Sequence, residues 1–497
     1  MIPKSIVIVG GGTAGWMTAN LMMHHWQDLG VKITLIESSE IGTIGVGEGS
    51  TPFLRHFFET LGIQEKQWMP LCDATFKCGI GFPNWCGEDG NKQYFHPFYN
   101  EIDSQTAVDF MQSCQHRRQG FDTPCLPDDY FVTAYLAYQN KAPYDGQQKT
   151  IGVDYGYHFD SAKLGTFMAQ HAMKMGVKRV IDTVETVHKD GENIGSIDAK
   201  THGRFDADLF IDCSGLNGLL IQQTLNEEFI NYQDYLPNNR AVAIATPHKE
   251  SDELGSYTVS KGLSAGWMWQ IPLQSRVGNG YVYSDQYLDK EAAEQELRET
   301  LDDFESPALH LKWTPGRIQN HWKANCLAVG MSQGFLEPLE APMLNLVQQT
   351  IELFIETCGV SAEQQHKNTF NITINNLVDG TRDYLQAHYA TNSRTDSQYW
   401  RDSSSNQHRS SALNSILTSW RTQQNFDTSL ASHHEVMVYG KTSWYCLFAG
   451  MDYFPNIDKR GLKLINRKHQ RAISYCQQLL QRSVHQYRFL NAVEEAI

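Results

Sequence analysis

Near the N-terminus an unbroken apolar run, Ile6-Val7-Ile8-Val9, passes straight into Gly10-Gly11-Gly12-Thr13-Ala14-Gly15. Apolar positions then recur at helical spacing over residues 16–29, and a second apolar run over 32–36 ends at Glu37. The pattern predicts strand, turn, helix and strand in that order. Residues 160–175 predict a helix that starts at an Asp160/Ser161 cap and stops at Gly176. A strand over 177–181, a hairpin turning at 189–193 and a strand over 208–212 follow, the last entering Cys213-Ser214-Gly215. From 240 to 285 β-branched runs alternate with turns and predict an antiparallel sheet. Within it, Gly266-Trp267-Met268-Trp269-Gln270-Ile271-Pro272 has a period of two that puts both indoles on one face, either a core face or the wall of a ligand site. Another strand spans 326–330, and the helix after Pro342 carries Leu344, Val347, Ile351 and Phe354 on one side. From 362 onward helical patterns dominate, with polar breaks at 402–411 and 429–434 and one or two closing helices over the last forty residues. Residues 101–149 are mixed and turn-rich and read as an insertion.

The first turn fits Gly-x-Gly-x-x-Gly, and its setting between a strand and a helix gives that spacing a physical meaning. Gly10 permits the tight turn, Gly12 lets backbone approach a pyrophosphate, and Gly15 lets the helix lie close on the strand. Thr13 and Ala14 complete the turn, and the N–H groups and dipole of the helix that follows suit phosphates. Glu37 stands where an acid grips a ribose hydroxyl, favouring FAD or NAD over NADP. A second glycine-rich loop, Ile44-Gly45-Val46-Gly47-Glu48-Gly49-Ser50, is close-packed or faces a ligand, and Thr51-Pro52 starts a helix. Lys77 lies in an apolar, strand-like segment over 74–82. It is either a snorkelling edge residue or a buried ammonium, which would be costly without a partner. Glu340 precedes the helix after Pro342, where an acid complements the positive helix end without any further role being required.

Composition narrows the classes. A chain of 497 residues is too long for one simple core, and its 41% hydrophobic share suits a folded protein of two or three interlocked lobes. The net charge of −15 argues against nucleic acid or an anionic membrane surface as partner. No apolar run approaches the roughly 18 residues of a spanning helix, and the N-terminal apolar run is used by the first strand and not by a signal peptide. Ten cysteines without a close Cys-x-x-Cys pair point away from zinc or a disulfide framework and toward a reducing cytoplasm. The adjacent pairs His24-His25 and His433-His434 do not share a helix face, so no metal site is expected. The 11 Trp, 22 Tyr and 23 Phe suit a core and also a pocket for a flat substrate.

Several segments together resemble the flavin-dependent halogenases, the family usually called tryptophan halogenases. They are Gly10 to Gly15, Gly45-Val46-Gly47-Glu48, Phe76-Lys77-Cys78-Gly79-Ile80, Tyr157-His158-Phe159-Asp160, Asp212-Cys213-Ser214-Gly215, Trp267-Met268-Trp269-Gln270-Ile271-Pro272 and Phe335-Leu336-Glu337-Pro338-Leu339-Glu340. Residues 382–389 and 399–401 resemble the family's C-terminal region. The resemblance implies an α/β fold with a Rossmann-like FAD module of the flavin monooxygenase type, an inserted antiparallel sheet and a mostly helical C-terminal substrate side. On this sequence the FAD module maps to 1–100, 150–235 and 310–360, the sheet layer to 236–309, and the substrate side to 101–149 and 361–497. It also implies that reduced FAD arrives from a separate flavin reductase and that O2 and a halide give hypohalous acid. That acid crosses a tunnel to an essential lysine, where a small electron-rich arene is halogenated. Lys77 matches the lysine and Glu340 the second essential residue. Gly47, Glu48, Ser50, Val184, Met331 and Leu344 join Gly10, Gly12, Thr13, Ala14, Gly15 and Glu37 around the cofactor. Trp267 and Trp269 match the residues that bar direct access to the flavin, while His96, Phe98 and Trp444 are placed at the substrate. A homo-oligomer is compatible with the chain.

One departure stands out. Where the family commonly reads Glu-Ser-Thr-Gly, this chain has Glu340-Ala341-Pro342-Met343. Pro342 has no N–H or hydroxyl and Met343 lacks the freedom of glycine, at positions that contact halide in the family. Chloride, the most strongly hydrated of the three halides, loses most from missing donors, so bromide or iodide is expected to be preferred. No segment matches the contacts that hold the amino and carboxylate groups of free tryptophan, leaving free indole or a phenol as alternatives. The competing readings are an FAD-dependent aromatic hydroxylase, opposed by Lys77 and the two indoles, and a non-catalytic flavin-binding protein, favoured by Pro342.

Overall fold

The computed structural model describes residues 2–40, 47–87, 92–249, 254–360, 363–422, 424–457 and 467–494. Ile44, Gly45 and Val46 of the second glycine-rich loop lie outside the described residues. The N-terminal pattern forms as expected: strand Ser5–Val9, helix Thr13–Trp26 with a 3-10 turn Gln27–Leu29, and strand Lys32–Glu37. These belong to a six-stranded sheet ordered Trp322–Lys323, Cys326–Ala328, Leu209–Asp212, Ser5–Val9, Lys32–Glu37, Lys178–Ile181. All its pairings are parallel except that of the edge strand Trp322–Lys323. Such a sheet must be covered on both faces. The helix Thr13–Trp26 packs there with helices Ser161–Lys174 and Met343–Val360, and the hairpin Val184–Asp190/Asn193–Ala199 closes the opposite face through Ile194 and Ile197. The Asp160 carboxylate accepts from the Ala162 and Lys163 N–H groups to cap its helix, and Gly176 ends it at φ +104°.

The second sheet has seven strands, ordered Ala308–Lys312, Arg240–Thr246, Val277–Tyr283, Gly266–Pro272, Thr258–Leu263, Gly79–Cys86, Lys92–Pro97. Gly79–Cys86 joins it through the parallel pairs Thr258↔Ile80 and Val259↔Gly81 and brings Lys92–Pro97 along. The division between 1–100 and 236–309 is therefore crossed by backbone hydrogen bonds. A small third sheet places Gly156–Phe159 between Glu48–Gly49 and Thr75–Lys77, so the glycine-rich loop and the lysine segment flank one strand.

Residues 101–149, expected to be mixed and turn-rich, contain helices Ser104–Arg118 and Val132–Tyr138, packed against Arg467–Leu480. The first escaped notice because its buried positions include Thr106, Asp109, Ser113 and Arg118, so no apolar stripe marks it. The helix Gln398–Ser405, anchored by Tyr399 and Trp400, extends into the start of the expected polar break at 402–411, and residues 406–410 are not helical. Between the closing helices Arg467–Leu480 and Gln486–Glu494, a short strand Ser483–His485 pairs with Lys141–Asp145. No helix among the described residues is long and apolar enough to cross a membrane.

Trp269 lies opposite Gly280 in the ladder, where a Cβ would come within 2.1 Å of the indole ring. Gly280→Ala is expected to lower stability by about 1–3 kcal/mol through overpacking. Urea unfolding measures this, and an unchanged midpoint would show that the indole is not confined by its neighbour.

Candidate active site

The sheet's first crossover builds a cradle. Gly10 has φ +114°, and a Cβ there would meet Cys213 O at 2.1 Å, while one at Gly15 would meet Gly10 O at 2.0 Å. Gly12 instead faces open space within 4 Å. It caps the helix without a side-chain bond, and Trp16 N–H is the first to reach back, to Gly12 O at 3.1 Å. The N–H groups of Thr13, Ala14 and Gly15 thus lack intrahelical partners and open on the same side. Glu37 ends its strand beside Gly11, held by the Trp16 indole N–H at 3.3 Å and by Arg179. A Cβ on Gly330 would meet Ala14 Cβ at 2.7 Å and Val347 at 3.8 Å, which sets the turn Gly330–Ser332 with Met331 and the helix containing Leu344 beside the cradle. Val184 packs at the cluster of Val9, Ile36 and Val180 on the sheet's other face.

From the cradle the loop Gly47-Glu48-Gly49-Ser50 leads to Lys77. Gly47 has φ +82° and packs near Leu273 and Ile271. Glu48 is partly buried, and desolvation pushes its carboxyl up to about 7 despite a hydrogen bond from Ser161. The Ser50 hydroxyl accepts from Tyr157 N–H at 2.9 Å and Ser50 N–H donates to Tyr157 O at 2.8 Å, fixing the loop to the central strand. A Cβ on Gly49 would lie 3.2 Å from Lys77 Nζ, so the glycine leaves room for the ammonium.

Lys77 is fully buried, and among the described residues nothing accepts a hydrogen bond from its Nζ. Its strand residues Thr75 to Lys77 are held by pairing with Gly156 to His158, which excludes the snorkelling alternative. Phe98 offers its ring 5.7 Å away, and Glu340 is the charge that favours the ammonium. Desolvation outweighs that attraction and brings the lysine down to about 8.

Glu340 is 4% exposed. His96 Nδ1 lies 2.8 Å from both of its oxygens, and His388 Nε2 is 3.0 Å from Oε1. Burial alone would raise this carboxyl, but the two histidines hold it down to about 2. The backbone is strained to achieve this: Glu340 and Ala341 have φ of 66° and 52°, with Ala341 N–H bonded to Pro338 O at 2.9 Å. Left-handed conformations cost non-glycine residues roughly 1–2 kcal/mol each and persist where surrounding contacts require them. Pro342 C=O then accepts from Leu346 N–H at 3.0 Å as the helix Met343–Val360 begins.

Aromatic rings complete the surroundings. Tyr384 stacks on Tyr439 at 3.7 Å, meets Trp444 edge-on at 4.9 Å and lies 6.0 Å from His96. Trp267 and Trp269 pack edge-to-face at 6.3 Å. Beside this loop Glu337 accepts from Asn238 at 3.0 Å and Tyr389 at 2.5 Å. Burial pushes Glu337 up to about 7 against those donors. The sequence reading gave no role to Glu337, Tyr384 or His388. His388 follows Tyr384 by four residues on a helix that also buries Thr381, Arg382, Asp383 and Gln386, so no contrast with an apolar face marks it. His158, fully buried beside Lys77, was likewise part of a quoted motif without a function.

A lysine lowered in the folded state opposes folding while both states are protonated. Stability rises with pH between about 8 and the ordinary 10.5. Lys77→Met should therefore be up to about 3 kcal/mol more stable than the parent at neutral pH, with the gain fading as pH approaches the upper limit. Denaturant unfolding across that range checks the sign; a methionine variant less stable at neutral pH would contradict it.

The chain matches the tryptophan halogenase family model over residues 5–466. It is 36% identical over 428 residues to the tryptophan 6-halogenase SttH of Streptomyces toxytricini, covering 80% of each chain. With the tryptophan 7-halogenase RebH of Lentzea aerocolonigenes it shares 33% identity over 487 residues, 91% of this chain and 90% of that one. The SttH crystal structure superposes with a TM-score of 0.87 at 32% identity, covering 99% of this chain and all 100% of that one. Tar14, a tryptophan C-6 flavin-dependent halogenase (chlorinase) from taromycin biosynthesis, gives 0.84 at 31% with the same coverage. These relatives lend no support to the expected bromide or iodide preference. The open backbone at Gly12, the free helix N–H groups and Glu37 fit the pyrophosphate and ribose of FAD. On this evidence the chain belongs to the tryptophan halogenase family and is a flavin-dependent oxidoreductase that works with reduced FAD, a halide and a separate flavin reductase.

Proposed function

We propose that the protein halogenates a small, electron-rich arene of the indole type at Lys77, with Glu340 as its acid–base partner. The observation that carries this is the Lys77 ammonium: buried, without a hydrogen bond, and facing Glu340 and the Phe98 ring. A cation left unsatisfied in a folded site is ready to donate to an incoming oxidant. Bound in the cradle, reduced FAD with O2 supplies the oxidation of halide to hypohalous acid. Gly10, Gly12, Thr13, Ala14, Gly15 and Glu37 hold the dinucleotide, with Gly47, Glu48, Ser50, Val184, Met331 and Leu344 lining it. Trp267 and Trp269 separate it from the arene, which rests among His96, Phe98 and Trp444. The curated relatives act on tryptophan by name, and tryptophan or free indole satisfies this aromatic enclosure. Ten free cysteines suit a reducing compartment such as the cytoplasm.

Incubation with FAD, a flavin reductase, halide and a panel of tryptophan, indole and phenols, read by mass spectrometry, tests the activity. Halogenated indole product is expected. Hydroxylated product would establish the hydroxylase reading instead, and turnover of no arene would leave flavin binding alone.

Halide selectivity rests on Pro342 and Met343. Pro342 offers no N–H toward an anion, and the first donors are those of the helix starting at Met343. Bromide, easier to desolvate and oxidise, should outcompete chloride at equal concentration. Equal incorporation of both halides would show that the substitutions at these positions do not set selectivity.

A further inference from the structure

His388 is fully buried, and both of its ring nitrogens are engaged. Nδ1 lies 3.0 Å from the Tyr384 carbonyl oxygen, which can only accept, so Nδ1 carries a proton. Nε2 lies 3.0 Å from Glu340 Oε1. A neutral imidazole with its proton on Nδ1 has only a lone pair on Nε2, which would repel an ionised carboxylate at that distance. The contact is attractive only if one more proton is present, on Nε2 or on Glu340. His96 imposes no such demand, because its Nδ1–H can serve both Glu340 oxygens while the ring stays neutral. The titratable groups facing His388 are Glu340 and Tyr384, with His96, Tyr94 and Lys77 reached across Glu340; Phe82 and Trp85 close the remaining side at 5.2 and 6.0 Å.

We infer that Glu340 and His388 hold one shared proton, which is handed to the oxygen leaving hypohalous acid and is replaced by the proton the halogenated ring gives up. The inference rests on the halogenase reading above. The oxygen–halogen bond breaks with its electron pair going to oxygen, while a ring carbon contributes a π pair to form the carbon–halogen bond. The departing hydroxide takes the shared proton and leaves as water. The ring carbon then releases its proton to Glu340, restoring aromaticity and returning the pair to its starting state. His388 acts through Glu340 and is a positioning residue that keeps the site charged with a proton away from bulk water.

The test uses His388→Gln in the full-length enzyme with reduced FAD, bromide and indole. Glutamine can donate to Glu340 but cannot supply a proton. Its single-turnover halogenation rate should fall by about 100-fold or more. On the acid side of the Lys77 titration the parent rate should be flat, whereas the variant rate should climb as pH falls and solvent protonates Glu340 directly. Nitrogen-15 NMR of histidine-labelled parent enzyme, with the variant identifying the His388 signals, gives a readout apart from turnover. Nδ1 should be protonated, and Nε2 should either be protonated or accept from a protonated carboxyl. A variant with the parent rate and a flat acid limb would overturn the inference, as would a His388 protonated only on Nε2. If the parent enzyme halogenates nothing, the activity itself is refuted; a halogenating parent with an unaffected variant refutes only the shared proton.

Discussion

A cation buried without a hydrogen bond is the constraint around which this protein is arranged. Burying the Lys77 ammonium costs solvation that Glu340 only partly returns, and the lysine's fall to about 8 expresses that imbalance. The position is affordable because the ends of the strand are fixed. Thr75 to Lys77 is paired to Gly156 to His158, and the same strand carries Glu48 and Gly49 on its other edge. The loop from the cradle and the lysine are thereby locked to one rigid element, with Gly49 leaving space beside Nζ. On the far side, two consecutive left-handed residues bend the chain so that Glu340 meets two histidines and still faces the lysine. Strain in one loop and desolvation in one strand meet at a single point.

The two large sheets divide the labour. The parallel sheet ends in the cradle, as open α/β sheets place ligands beyond their strand ends. The antiparallel sheet carries the indoles and, through Lys92–Pro97, His96. Gly79–Cys86 follows Lys77 within two residues and belongs to that second sheet, so the lysine, on the small third sheet, stands at the border of the second.

Much of this was legible in the residues because the relevant signals are local. The glycine spacing, the Glu37 position, the Asp160 cap and the Trp-x-Trp alternation each lie within a few residues, and the structure forms them as read. What stayed hidden depends on residues far apart in sequence. Lys77 could be an edge or a core lysine until its strand found partners, and the union of Gly79–Cys86 with Thr258–Leu263 joins segments with no shared local pattern. His388 lies in a segment that resembles the family but carries no role in the sequence; its meaning appears only when Glu340, 48 residues away, arrives at its Nε2. The helix Ser104–Arg118 was concealed for another reason, since it buries polar side chains that bond to backbone oxygens and to neighbouring elements and leaves no apolar stripe.

The central claim is that oxidant is made at the cradle and used at Lys77, and one variant separates the two events. Lys77→Met enzyme, supplied with reduced FAD, O2 and bromide in the presence of indole and the diffusible-oxidant trap monochlorodimedone, should still brominate the trap while giving no enzyme-directed indole product. Indole brominated by the variant with the parent's rate and regiochemistry would contradict the account, because the oxidant would then need no lysine to reach its target.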